Sequence, residues 1–593
     1  MKRQFDFRKM SFYQIWIRSF CDGNGDGIGD LYGVYDKLEY IRSLGVDGIW
    51  FSPIYPSPNA DFGYDISDYK SIHPDYGTLE QFRKVLDKAH GLGLKVLMDL
   101  VINHTSDEHP WFLESCKGKD NPYSDYYIWR DPVWKGETRL PPNNWFSQFE
   151  GLAWEYCDTR KQYYLHVFAR KQPDLNMDNP RVRAEVESIM RFWLDMGVDG
   201  FREDVITFIS KHKDLPDGMP FLPAINGLPF YKDGPNLKHY LRQFRKVALE
   251  YGAIQVGEAP FTGVRKTLEY TAGRQKVLDM MIQFDTMMAD CILTEYVCHR
   301  FSLRKLKRAF TKWQKALHGK GWNALYLENH DHPRVISRYG NEHFHRESGT
   351  MLAAAYLFLE GTPFLYQGQE IGMTNIRLPS IDCYLDVASV HAYHTFHKRE
   401  SEQKRLRRIH LSSRDSARTP MQWTAGRYAG FSTAKPWFAL NPNYRQINVK
   451  AQENDPDSIL NFYRKCLQLR KETDALLLGT YREYFPHSGK LYMYERRYHN
   501  ERILVICSFS TKPMRYALPR GIRREKQGGI HVLLDNYPGE PQIGKLRPYE
   551  AQVLQLQAGS DSAGKENACE SSAGRCTQRI IGSGKGRSRS GTA

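Results

Sequence analysis

The sequence predicts an α/β chain built on a parallel barrel of eight strands, with a domain inserted at the barrel mouth and an all-β domain near the C-terminus. Three observations lead there. First, Asp99, Asp204, Glu258 and Asp331 each close a short apolar run that reads as a buried strand: LKVLMDLVINH, VDGFREDVI, AIQVGEA and NALYLENHD. Ionisable groups at strand ends are costly when buried without partners, so the repeated placement needs a cause. A parallel barrel supplies one, because all its strand C-termini open onto a single face. Second, residues 1 to about 480 alternate apolar strand-like runs with amphipathic helical segments. Third, Leu44-Gly45-Val46-Asp47-Gly48-Ile49 and Met196-Gly197-Val198-Asp199-Gly200-Phe201 are nearly the same phrase. Each follows a helical pattern, YDKLEYIRSLG or VESIMRFWLDMG, and leads into a strand. Its first glycine suits a helix C-terminus.

The barrel strands are expected near residues 12–17, 47–52, 95–101, 199–204, 253–258, 279–284, 323–328 and 363–366. The stretch between His104 and Val198 is too long for one βα loop. It holds Trp111, Trp129, Trp134, Trp145 and Trp154 and contains QPDLN, so residues 105–175 read as a small inserted domain. That leaves 1–104 and 176–480 to the barrel, with a second insertion at about 374–455 after the eighth strand. From 481 to 557 the pattern changes to short alternating strands, LYMYERRY, RILVICSFS, IHVLLDN and AQVLQLQ. Residues 558–593 are rich in Gly, Ser and Arg with almost no large apolar side chains, and are expected to be disordered.

At 593 residues the chain exceeds one ordinary core, and 41% hydrophobic with 25% charged residues is the composition of a soluble globular protein. No run of 18 apolar residues and no secretory signal is present, so neither a membrane span nor export is expected. The ten cysteines (Cys21, Cys116, Cys157, Cys291, Cys298, Cys383, Cys466, Cys507, Cys569 and Cys576) form no CxxC pair. Free thiols in the cytoplasm are expected. Net charge is +15, of which the last 36 residues supply +3. The densest basic cluster, HKRESEQKRLRRIH at 397–410, reads as a solvated helical arm, and no basic stripe with interleaved aromatics argues for nucleic acid.

Four carboxylates converging at a barrel mouth point to glycoside hydrolysis. In GFREDVI (200–206), Arg202 and Asp204 alternate onto one side of a strand. The arginine is expected to depress the aspartate and keep it ionised, as a nucleophile needs. Glu258, after the apolar IQV, is expected to be held protonated by burial and to act as general acid. His104 and His330 sit beside strand-end polar residues and suit hydrogen bonds to sugar hydroxyls. No HExxH-type spacing supports zinc. DGNGDGIGD (22–30) sets Asp22, Asn24, Asp26 and Asp30 on alternate residues around a sharp turn, with the Ile28 carbonyl as a further oxygen. That pattern suits a structural Ca²⁺ or Mg²⁺, although the glutamate of an EF-hand is replaced by Gly33.

DLVINH (99–104), QPDLN (172–176), GFREDVI, VGEA (256–259) and ENHDHPR (328–334), in this order, resemble the signature regions of the α-amylase superfamily, glycoside hydrolase family 13. YQIWIRSF, WFSPIYPSPNADFGYDISDY, HTSDEHPWF, GTPFLYQGQEIGMTN and SRDSARTPMQW resemble its oligo-1,6-glucosidase and α-glucosidase branch, over residues 10–557. The resemblance implies a (β/α)₈ TIM barrel, an inserted domain B, a C-terminal antiparallel β-sandwich and a retaining double displacement. It implies Asp204 as nucleophile, Glu258 as acid/base and Asp331 as the third carboxylate. Asp61, Tyr64, His104, Arg202, His330 and Arg414 match positions that grip the non-reducing glucose, and an Asp61–Arg414 pair would close the pocket behind it, giving exo action.

The residue after the nucleophile resembles a specificity marker, valine in enzymes favouring α-1,6 links and threonine in maltases; here it is Val205. The expectation is an exo-acting α-glucosidase releasing glucose from isomaltose and isomalto-oligosaccharides, a monomer or weak oligomer. An α-1,4 maltase, a trehalose-6-phosphate hydrolase and a sucrose-active or transglycosylating relative are the alternatives. Glu203, Glu328, His332, Gln369 and Ile17 depart from the usual residues of the family. Of these, His332 and Glu328 flank Asp331 and are expected on the aglycone side.

Overall fold

The computed structural model describes residues 5–149, 151–219, 225–292, 294–298, 300–396, 398–524 and 529–556. The expected disordered tail, Cys569, Cys576 and His397 lie outside these residues. Eight parallel strands form the barrel: β1 (Phe12–Ile15), β2 (Gly48–Phe51), β3 (Lys95–Leu100), β4 (Gly200–Glu203), β5 (Ile254–Glu258), β6 (Met280–Ile282), β7 (Ala324–Leu325) and β8 (Thr362–Tyr366). They run in the order β6-β5-β4-β3-β2-β1-β8-β7, and a parallel bridge between Met281 and Asn323 joins β6 to β7 and closes the ring. Each lies where the apolar runs placed it. β7 holds two residues, shorter than the 323–328 expected.

The helices between strands begin and end where their sequences direct. The helix Leu79–Gly91 starts with a capping box between Thr78 and Gln81. Pro180–Met196 has Asn179 as cap and proline in its first turn. The repeated phrase is two helix ends: Gly45 and Gly197 take φ of +90° and +110°, a left-handed turn that glycine adopts freely. Gly200 serves a different need. A Cβ there would lie 2.2 Å from the Ile254 carbonyl, so β4 and β5 pack this closely only with glycine. That closeness brings the ends of β4 and β5 side by side, with Arg202 in register with Asp99 on one flank and Val256 on the other.

Residues 105–175 carry a three-stranded antiparallel sheet (Trp129–Arg130, Gln162–Leu165, Trp154–Cys157) and the ribbon Val133–Lys135/Thr138–Leu140. Bridges His104–Asp174 and Tyr127–Leu175 hold the segment's two ends together at the barrel mouth. Trp145, Trp154, Leu165 and Val167 pack with Val205, Phe208, Leu228 and Tyr231 in one buried cluster, so this segment is seated on the loop that follows β4. Within residues 374–455, the helices Val387–Thr395 and Glu402–Ser412 lie near the mouth and on the basic run respectively.

The C-terminal sheet is antiparallel, β9 (Thr480–Tyr484), β10 (Leu491–Tyr498), β11 (Glu501–Ser508), β12 (Ile530–Asp535) and β13 (Ala551–Leu556), in the order β9-β10-β11-β13-β12. Its side chains alternate as the pleat requires. Tyr492, Tyr494, Ile503, Val505 and Val553 join the main core, while Met493, Leu504, Ile506 and Leu554 pack against Leu518, Ile522 and Leu546 in a second layer. Cys21, Cys116, Cys157, Cys291, Cys383, Cys466 and Cys507 are free thiols. Among the described residues, no helix is long and apolar enough to cross a membrane.

Candidate active site

The strand C-termini open into a cavity of about 660 Å³ lined by Asp61, Tyr64, His104, Asp204, Glu258, Asp331 and Arg414 among others. Of the four carboxylates at strand ends, three line it. The fourth, Asp99, is buried beneath, where it accepts from Arg202 Nη1 at 2.8 Å and from the Tyr64 hydroxyl at 3.1 Å.

Arg202 organises the chemistry. Its guanidinium is fully buried, and Nη1 also donates to Asp204 Oδ1 at 2.6 Å while Nη2 pairs with Glu258 Oε1 at 2.6 Å. One cation thus holds the strand-end carboxylates of β4 and β5 together, and the rings of Trp50 and Tyr64 flank it. The expected depression of Asp204 is not what results. Burial pushes its carboxyl well above the usual range, Arg202 opposes that, and Glu258 and Asp99 add to it. Burial likewise raises Asp99 to about 6 against the pull of Arg202. The reason is arithmetic: one guanidinium is shared by three carboxylates in a dry site. Val205 follows in the left-handed region (φ +33°), an uncommon conformation for a β-branched residue, and its N–H donates to Glu258 Oε2 at 3.1 Å.

The opposite wall is built around Asp331 and Arg414. Asp331 pairs with His330 Nε2 at 2.9 Å and accepts from Arg414 and Arg418 at 3.1 and 3.2 Å. Burial works against its charge, but His330, Arg414 and Arg418 outweigh it and hold the carboxyl well below the usual range. His330 is stacked between Trp16 and Tyr64, with Gln14 Nε2 2.7 Å from its Nδ1. Arg414 closes the back of the pocket on Asp61 at 3.1 Å, its guanidinium over the Phe149 ring. Gln172 lies within 3.2 Å of both Asp61 and His104, and burial lowers His104 to about 4, so it is neutral at physiological pH.

Sequence reasoning missed Asp386, which accepts from Arg414 Nε at 2.8 Å and Nη2 at 2.6 Å and is fully buried. Its one signal is local: it caps the helix Val387–Thr395 through the Ser389 N–H. Asp386→Ala frees Arg414 from its strongest pair, so we expect KM for disaccharides to rise about 10-fold with a smaller fall in kcat, measured in steady-state kinetics.

Four of the five family departures sit away from the cavity. His332 lines the cavity, edge-on to Phe284. Glu328 does not reach the aglycone side. It is buried and accepts from the Val335 N–H at 2.6 Å, near Arg334 Nη1 at 3.4 Å, outside the residues that line the cavity. Glu203 alternates outward from Arg202 and Asp204, accepts from Gln255 and is raised to about 7 by burial. Gln369 bonds Tyr356 and Tyr463, outside the cavity, and Ile17 is buried in the core.

In the loop 22–30, Asp22 accepts from the Gly25 and Gly27 amides, Asp26 from Ile28, and Asp30 from Gly23, Asn24 and Gly33. Burial raises the Asp30 carboxyl. Among the described residues, no three His, Cys, Asp or Glu side chains converge tightly enough to hold a metal ion.

The fold and this constellation define a barrel glycosidase, and the comparisons agree. The family described as alpha amylase, catalytic domain, matches residues 14–479. The chain is 46% identical to an oligo-1,6-glucosidase of Parageobacillus thermoglucosidasius over 556 residues, covering 92% of this chain and 98% of that one. It is 42% identical to a trehalose-6-phosphate hydrolase of Bacillus subtilis (strain 168) over 557 residues, covering 93% and 98%. The crystal structure of a Bacillus licheniformis trehalose-6-phosphate hydrolase superposes with a TM-score of 0.88 at 40% identity, covering 93% of this chain and 99% of that one. The chain belongs to the α-amylase family of glycoside hydrolases.

Proposed function

We propose that the chain is an exo-acting, retaining oligo-1,6-glucosidase that releases α-glucose from isomaltose and isomalto-oligosaccharides. The observation that carries the chemistry is Arg202 bridging Asp204 and Glu258 at the cavity floor. In this reading Asp204 attacks the anomeric carbon, while Glu258 protonates the leaving oxygen and then deprotonates water. Asp331, held ionised by His330 and two arginines, binds ring hydroxyls and favours the distorted transition state. Asp61, Tyr64, His104, His330 and Arg414 grip the non-reducing glucose, and the Asp61–Arg414 pair supports exo action by closing the pocket behind it.

The linkage preference rests on Val205 together with the similarity to relatives named oligo-1,6-glucosidase. A trehalose-6-phosphate hydrolase is disfavoured by the lining: among the described residues around the cavity the one arginine is Arg414, committed to Asp61, Asp331 and Asp386, and there is no lysine. A phosphate ester needs such a cation beside it. Initial glucose release from isomaltose, maltose, sucrose and trehalose 6-phosphate, at matched low concentration, tests the reading. Isomaltose should be fastest, and a faster rate on another sugar would reassign the preference. Val205→Thr should move the isomaltose-to-maltose ratio of kcat/KM toward maltose by about 10-fold.

The same reading takes the chain as a cytoplasmic monomer or weak oligomer with an oligosaccharide as its partner. The all-oxygen donor set of the 22–30 loop fits a structural Ca²⁺ or Mg²⁺, because Asp22 Oδ1, Asp26 Oδ1 and Asp30 Oδ2 each accept from a single amide and keep a second lone pair. Asp22, Asn24, Asp26, the Ile28 carbonyl and Asp30 would hold it. A fall in Tm on chelation, restored by Ca²⁺ or Mg²⁺, is the expected result, and an unmoved Tm would remove the ion.

A further inference from the structure

Two of the free thiols meet in the inserted domain. Cys116 follows the helix Pro110–Ser115, and Cys157 ends the strand Trp154–Cys157. Far apart in sequence, the two side chains share a hydrogen bond. Arg160 holds their segments in that position. It stands three residues after Cys157, and its Nη1 donates to the Ser115 and Gly118 carbonyls at 2.6 and 2.9 Å, on either side of Cys116. Its Nη2 donates to Ser124 Oγ at 3.1 Å. Trp129 lies against the same guanidinium and donates to Ser115 Oγ at 2.9 Å. Cys116 and Cys157 are half-buried, whereas Cys21, Cys291, Cys466 and Cys507 are buried. A small reagent therefore reaches the Cys116–Cys157 pair and not the sealed thiols.

We propose that Cys116 and Cys157 form a redox pair, closed to a disulfide by a small-molecule disulfide and reopened by thiols, that fastens the inserted domain. Burial and the neighbouring Cys157 push the Cys116 thiol up to about 12, so the first attack falls to Cys157. Its sulfur displaces one thiol from the small disulfide and becomes a mixed disulfide. That removes one of the causes that raise Cys116. Cys116 then attacks Cys157 Sγ and displaces the second thiol. Two protein thiols are oxidised, one small disulfide is reduced, and the two thiol protons leave on the released thiols. The new bond closes a loop of about 40 residues, which removes conformations from the unfolded chain. It ties the helix Pro110–Ser115 to the strand whose other end carries Trp154, a member of the cluster that seats this domain on Val205 and Phe208. Neither cysteine lines the barrel-mouth cavity, so the bond acts on the stability of the domain.

The test treats the full chain with oxidised glutathione, alkylates the remaining thiols and digests with trypsin without reduction. Cleavage after Lys95, Lys117, Arg139 and Arg160 leaves Cys116 in peptide 96–117 and Cys157 in peptide 140–160, each with no other cysteine. The two peptides should be recovered joined, and dithiothreitol should part them. The oxidised chain should melt about 2–4 °C above the reduced one, with the gain reversed by dithiothreitol. Cys157→Ser replaces one half-buried sulfur by oxygen and should fold; it should lose both the joined peptides and the gain in Tm. Peptides recovered apart, with each cysteine alkylated or carrying glutathione, would overturn the pairing. Joined peptides without a rise in Tm would overturn the fastening, and a rise that persists in Cys157→Ser would assign it to other cysteines and overturn it too.

Discussion

Replacing Asp204 with alanine should lower kcat/KM on isomaltose by about 10⁵-fold and, at neutral pH, raise Tm rather than lower it. The loss of activity follows from removing the proposed nucleophile, for which no neighbour can substitute: Asp99 lies beneath the cavity floor and Asp331 is tied to His330 and two arginines. The gain in stability follows from the proton balance. Burial raises the Asp204 carboxyl well above its ordinary value, so the folded chain holds this proton more tightly than the unfolded chain. The stabilisation from such a group is complete below the unfolded value and is lost as pH rises through the folded one. At neutral pH an ionised Asp204 is therefore a cost, and its removal leaves Arg202 shared by two carboxylates instead of three. A shift of about 1–3 °C, measured calorimetrically with wild type and variant in the same buffer, is the scale to expect. The difference should shrink toward acid pH. A variant that retains turnover would displace Asp204 as nucleophile, and one that melts much earlier would show that the carboxylate holds the floor together.

Arg202→Met should do the reverse to stability and the same to activity. It leaves Asp99, Asp204 and Glu258 around an apolar side chain, three acids with no cation among them. Breaking a buried ion pair by removing one partner typically costs about 3–5 kcal/mol, and here the removed partner serves three acids. The variant should be lost at neutral pH and partly recovered on acidification, when the stranded carboxylates take up protons. Arg202→Lys separates charge from geometry. It returns a positive charge, but one ammonium cannot address Asp204 and Glu258 through two fixed nitrogens as the guanidinium fork does. Tm should recover most of the loss, while kcat stays reduced at least about 100-fold because the two carboxylates are no longer held in one plane. Full recovery of kcat in the lysine variant would show that charge alone matters and that the fork does not position the pair.

How far these residues could be read in advance depends on the range of the interaction that sets them. The eight strands were legible because each is a short apolar run between helical patterns, and burial on both faces of a barrel strand leaves that run in the sequence. Asp204, Glu258 and Asp331 were legible because a charge at the end of such a run needs a reason. Asp386 was not, since its bond to Arg414 spans 28 residues across two helices of the insertion, and a cap reads the same whether or not it also grips an arginine. Glu328 shows the same limit from the other side. Adjacent numbering placed it beside Asp331, but it is buried against Val335, outside the residues that line the cavity.

The sequence by itself determined the barrel, the antiparallel C-terminal strands, the glycine helix ends and which acids stand at the mouth, because these follow from local periodicity and from the price of burying charge. The tertiary structure alone decided how those charges are balanced. Whether Arg202 depresses Asp204 or is outnumbered depends on how many carboxylates reach one guanidinium, a sum over β3, β4 and β5 that no local pattern contains. It also decided which apolar side chains line the cavity beside those acids, since Val205, Phe261 and Phe284 follow three different barrel strands and Phe396 comes from the insertion after β8.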